Sequence, residues 1–146
     1  MEEEEERPEP NLLWSVFSMH CPRCRRGDMF KTKNAYKKLT LRHIFDMYET
    51  CPVCKQEFNL EPGFWYGTGY VSYGIVVLFS AISFLLWWLF IGISIHDNRV
   101  IIWVICNSVL ILLSQPWLMR LSRVVYLYLF VKYNKNYDKD PPIFFS

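Results

Sequence analysis

Two tetrapeptides, Cys21-Pro22-Arg23-Cys24 and Cys51-Pro52-Val53-Cys54, carry the clearest chemistry in this chain. In each C-P-x-C the spacing lets both thiolates of one tight turn face a single ion. Two such turns complete a tetrahedral four-cysteine site, and a catalytic zinc would keep one position open for water or substrate. Filling all four positions with Cys21, Cys24, Cys51 and Cys54 therefore predicts a structural site. Zinc suits tetrahedral thiolate and has no redox chemistry; iron in a rubredoxin-like site is the competitor. Gly27 follows the first pair where a knuckle often needs backbone that only glycine enters cheaply. His20 and His43 each offer a replacement ligand, although surface or packing roles are the plainer reading. The 26 residues between the pairs exceed the usual ribbon separation, so an insertion separates the knuckles.

The surrounding elements explain how these cysteines are positioned. Apolar residues make up 52% of the 146 and aromatics 18%, but the average hides a split. Residues 1–61 are polar and charged, whereas Tyr70 to Val131 is nearly all apolar. The start, MEEEEE, lacks the basic region of a secretory signal and reads as a solvated acidic tail over residues 1–11. Val71 to Ile95 contains no charge and is long enough to cross a bilayer, as is Val100 to Met119 after the polar turn HDNR. Two buried helices of a soluble protein are disfavoured, because so short a chain has too little protein to cover both.

Lysine and arginine set the expected orientation. Ten precede the first span, Arg99 alone lies in the connecting loop, and five follow the second span. Positive residues stay inside, so both termini are expected in the cytoplasm. That compartment is reducing, which disfavours disulfides, and no βαβ context marks a CxxC redox pair. Trp65, Tyr66 and Tyr70 are placed at the inner boundary of the first span and Trp87 and Trp88 at the outer part, with Trp103 and Trp117 flanking the second.

The apolar stretch continues past Met119. Pro116 predicts a kink, and Leu118 to Tyr133 reads as a helix lying on the inner surface, with Arg120 and Arg123 on one face meeting lipid phosphates. The alternative is a straight helix projecting into the cytosol. Within the second span, Cys106 reads as a small packing residue. Asn107 needs a partner in hydrocarbon. Ser114 shares its face, and Ser80 and Ser83 of the first span lie at its level. Packing within the hairpin and contact with a membrane partner or second copy both remain open. The four lysines in Lys31 to Leu39 follow from lying beside an anionic leaflet, so nucleic-acid binding is disfavoured.

The ensemble of CPRCRRG, CPVC, EPGFWYGTGYVSY and PWLMRLSR resembles an uncharacterised bacterial membrane family catalogued as domain of unknown function 983, over residues 15–135. The resemblance implies a small inner-membrane protein with a cytoplasmic zinc-ribbon-like head. It supplies no established reaction. Some members are encoded near respiratory oxidase genes, which implies a link to assembly of such complexes by genomic association only.

The expected architecture is thus a membrane protein. Residues 12–62 form a zinc-ribbon-like head, 63–119 a two-helix transmembrane hairpin, and 120–146 a basic interfacial helix and tail. No serine triad, carboxylate pair or phosphate loop with its lysine is present. The favoured function is an interaction or assembly module. A metal sensor or carrier and a membrane-tethered enzyme are the alternatives.

Overall fold

The computed structural model describes residues 8–37, 42, 45–94 and 96–143. Its helices in chain order are α1 (Leu12–Phe17), α2 (Thr68–Ile91) and α3 (Arg99–Phe130), with a 3-10 turn over Phe64–Gly67 leading into α2.

Helices α2 and α3 pack on each other as a hairpin. The 24 residues of α2 span about 36 Å, against a hydrocarbon core of about 30 Å. None of its residues is buried inside the molecule, and Leu78, Leu85, Leu89 and Phe90 point outward. A core helix of a soluble protein would bury at least one stripe. Both helices are long and apolar enough to cross a membrane.

Gly63 (φ 81°) turns the chain into the 3-10 segment, and Gly92 (φ 76°) ends α2. The first span was expected to run to Ile95, but the helix stops at Ile91. Glycine enters the positive-φ region at little steric cost, and that conformation cannot continue a helix. Ile95 itself lies outside the described residues. Arg99 closes the turn, with its Nη1 donating to the Ile91 carbonyl at 2.9 Å and its Nε 3.5 Å from Asp97.

α3 departs from expectation. Its 32 residues form one helix that includes Pro116, whereas the sequence reading ends the second span at Met119 and begins a separate surface helix. At about 1.5 Å per residue it reaches about 48 Å, outlasting the hydrocarbon core by some 12 residues. Burial changes where that surplus begins. Leu112 and Leu113 are exposed, whereas Pro116, Leu118, Leu121, Val124 and Leu127 are buried. The side chains at 118, 121, 124 and 127 recur at helical spacing and give the end of α3 a protein-facing stripe.

That stripe is part of the head. Val124, Leu127, Val131 and Tyr137 share one core with Cys21, Cys24, Met29, Phe30, Cys51, Cys54, Phe58 and Leu60. The head therefore draws on chain from both sides of the hairpin, where the sequence reading ended it at residue 62. Among the described residues it contains no extended strand, only isolated antiparallel bridges: His20 with Asp28, Phe30 with Met47, and Thr50 with Glu57. The first and third of these each enclose one cysteine pair.

A candidate metal centre

The two cysteine turns repeat one backbone design. Cys21 N–H donates to the Gly27 carbonyl at 2.8 Å, and Arg25 N–H to the Cys21 carbonyl at 2.7 Å. In the second turn Cys51 N–H donates to Gln56 at 2.9 Å, and Lys55 N–H to Cys51 at 3.0 Å. The residue after each second cysteine takes a left-handed conformation: Arg25 at φ 53° and Lys55 at φ 56°. Each loop thereby curls its two sulfurs to the same side.

The two turns then face each other. Cys21 Sγ lies 3.6 Å from Cys54 Sγ, and Cys24 Sγ lies 3.7 Å from Cys51 Sγ. All four sulfurs fall within 4.8 Å of one another. Sulfurs around an ion at metal–sulfur bonds of about 2.3 Å stand about 3.8 Å apart in a tetrahedron, so the cluster is close to metal-binding size. The residues are 0%, 0%, 1% and 7% exposed for Cys21, Cys24, Cys51 and Cys54.

Electrostatics favour a cation at the centre. Hydrogen bonding from Cys21, then from Cys51 and Cys54, pushes the Cys24 thiol down. The Cys51 thiol is also pushed down, chiefly by Cys21. The Cys21 thiol is pushed up by its bonds to Cys24, Cys51 and Cys54 and by burial. Four sulfurs this close cannot all ionise without a counter-charge, which a bound cation supplies. Backbone N–H groups reinforce the thiolates: Arg26 serves Cys24, Cys54 serves Cys51, and Gln56 serves Cys54. Such outer partners orient metal ligands.

Gly27 matters for a reason other than the expected one. It is Arg25 that adopts positive φ. A Cβ on Gly27 would lie 2.3 Å from Cys51 Sγ, so glycine is needed because the second knuckle passes against the first. His20 is not among the clustered ligands; its Nε2 sits 3.4 Å from Asp28 Oδ1, and its carbonyl accepts from Tyr128 Oη at 3.1 Å. His43 lies outside the described residues.

Sequence reasoning missed two side chains that tie the knuckles to the segment after α3. Arg23, 1% exposed, donates from Nη2 to the Asp140 and Pro141 carbonyls at 2.7 and 2.8 Å. Gln56 pairs with the backbone of Ile143 in both directions, at 2.7 and 2.8 Å. Their partners are distant in sequence, so no local pattern marks either residue.

Arg120 and Arg123 lie on one face of α3, and that face meets the head instead of lipid phosphates. Arg120 is 1% exposed. It donates to the Thr32 carbonyl at 2.6 Å and to Thr32 Oγ1 at 2.9 Å, with its guanidinium 4.8 Å over Phe30. Arg123 covers Phe45 at 4.0 Å and Trp65 at 5.0 Å. The insertion between the knuckles folds back through the Phe30–Met47 bridge and a Lys31–Asp46 ion pair at 3.3 Å. It supplies the Thr32, Phe30 and Phe45 groups that draw both arginines inward.

In the hairpin, Ser83 Oγ donates to Asn107 Oδ1 at 2.9 Å, and Asn107 Nδ2 donates to Ser80 Oγ at 3.2 Å. The Asn107 amide is thus partnered within the chain. Ser114 is half-buried, and among the described residues no hydrogen bond joins it to this cluster. Cys106 is exposed on α3, away from the four clustered sulfurs.

No protein-family model matches this chain, and no curated protein or solved structure is significantly similar to it. The site and the hairpin define a class on their own: a chain with a four-cysteine cluster suited to a metal ion and two helices suited to a membrane.

Proposed function

We propose that this is a zinc-binding integral membrane protein that acts through contacts, as an interaction or assembly module holding its metal head against the bilayer. The observation carrying this reading is the closed cluster. Four buried sulfurs at near-tetrahedral spacing leave a bound ion no open position for substrate. The head core also incorporates the end of the second span, so metal binding stabilises the junction between head and membrane. Zinc would supply folding free energy to a module too small to close on apolar burial alone.

The lysine and arginine distribution supports both flanks of the hairpin being cytoplasmic. The resemblance in CPRCRRG, CPVC and PWLMRLSR supports a bacterial inner membrane, with respiratory oxidase assembly as the process to examine first. The expected partners are lipid and a membrane protein or second copy. A carrier requires exchangeable ligands, which buried thiolates oppose.

Elemental analysis of the purified full chain tests this reading. About one zinc per chain is expected. Cobalt substituted at the site should give a thiolate charge-transfer spectrum that added azide or imidazole leaves unchanged. Metal-free protein with four freely titratable thiols refutes the site; a cobalt spectrum that shifts with azide returns it to the catalytic class.

A further inference from the structure

Helix α1 is built inside out. Ser15 is 1% exposed and its Oγ donates to the Asn11 carbonyl at 2.9 Å. The apolar residues around it face away from the protein: Leu12, Leu13, Trp14 and Phe17 are 49%, 72%, 70% and 56% exposed. Only Val16 packs toward the head core. A helix on a water-facing surface places its apolar side chains inward; this one places its hydroxyl inward and its leucines and tryptophan outward. No charged residue lies between Pro10 and His20.

Its position is equally specific. The Phe17 ring stacks on Trp117, with centroids 6.1 Å apart and planes at 10°. Trp117 lies where α3 passes from the exposed Leu112 and Leu113 to the buried Leu118 and Arg120. The outward face of α1 is therefore continuous, through one aromatic stack, with the band of α3 that the membrane reading assigns to lipid. Tryptophan at such a boundary is favoured on both its apolar body and its N–H.

We propose that α1 is an in-plane membrane contact, with Leu13, Trp14 and Phe17 seated in the lipid interface beside the inner end of α3. This inference rests on the membrane reading and goes beyond it. The surface-lying element is residues 12–17, ahead of the metal site, and not the segment after the second span. The head is then held to the bilayer through an element other than the two spans.

Nitroxide accessibility tests it. The full metal-loaded chain, with Cys106→Ser, carries a single label at Leu13→Cys, at Leu112→Cys or at Lys135→Cys. Each is placed in nanodiscs of phosphatidylethanolamine and phosphatidylglycerol holding one chain. Retained zinc confirms that labelling spared the cluster. The Leu112 label should favour oxygen over a water-soluble nickel chelate, the Lys135 label the reverse. The Leu13 label should show an oxygen-to-nickel collision ratio several-fold above that at Lys135. A Leu13 ratio equal to that at Lys135, with Leu112 still lipid-exposed, overturns the inference and leaves the membrane reading intact. Water exposure at Leu112 overturns the membrane reading itself. A Leu13 label shielded only when discs hold two chains assigns the face to a second copy and likewise overturns the lipid contact.

Discussion

Gly27 and Lys55 occupy comparable turns but obey different constraints. A methyl at Gly27 would meet Cys51 Sγ at 2.3 Å, and that sulfur is fixed by its own knuckle. Overpacking of this kind costs about 1–3 kcal/mol. Gly27→Ala should therefore weaken metal retention against a chelator by about 5- to 150-fold. Lys55 sits at φ 56°, where relief of strain and loss of backbone entropy nearly cancel for glycine. Lys55→Gly should leave chelator competition within about 1 kcal/mol of the parent, and a large loss there would contradict the backbone argument. The four clustered cysteines were legible in the sequence because C-P-x-C is a local pattern. Gly27 was legible as important but not for its true cause, since its neighbour Cys51 comes from the other knuckle. Arg23 and Gln56 were not legible, because they bind carbonyls more than eighty positions away.

Among the elements, α2 and α3 were readable because a helix suited to a membrane has a length and an absence of charge that are both visible in one dimension. The end of α3 was misread for the same reason. An apolar helical stripe looks alike whether it faces lipid or a protein core, and the arginines at 120 and 123 suit either setting. Arg120→Lys separates the two roles. It keeps the charge that a lipid phosphate needs but loses the fork that reaches Thr32. Faster proteolysis of the insertion near Lys33 is expected, with a loss of about 1–3 kcal/mol from the charged hydrogen bonds; unchanged protection would restore the lipid reading. Asn107→Leu should lower the stability of the hairpin in detergent by about 0.6–2 kcal/mol, read by thermal unfolding. Its oligomeric state should not change, because the Asn107 amide is already bonded to Ser80 and Ser83. A shift in association state would reopen the partner reading.

For the whole molecule, the head core continues into the end of α3 and the segment after it. Val124, Leu127, Val131 and Tyr137 are at most 7% exposed, and each contributes about 1.5–3 kcal/mol by burial. Their sum exceeds the few kcal/mol that a head of this size commands. A chain stopped after Met119 retains every cysteine ligand, yet it should purify with little or no zinc by elemental analysis. Full zinc occupancy in that truncation would show the head to be independent of α3.

This shared core also imposes an order in time. Both cysteine pairs are synthesised before α2, whereas the residues that complete their surroundings follow α3 by as much as Ile143. About ninety residues separate Cys54 from Ile143. At ribosomal rates of about 5–20 residues per second this is an interval of roughly 5–20 s. During it the thiols are outside their finished core and open to oxidation. Closure of the head must wait until α2 and α3 have both been made, so a chain that stops within either helix also lacks the packing that surrounds its four cysteines.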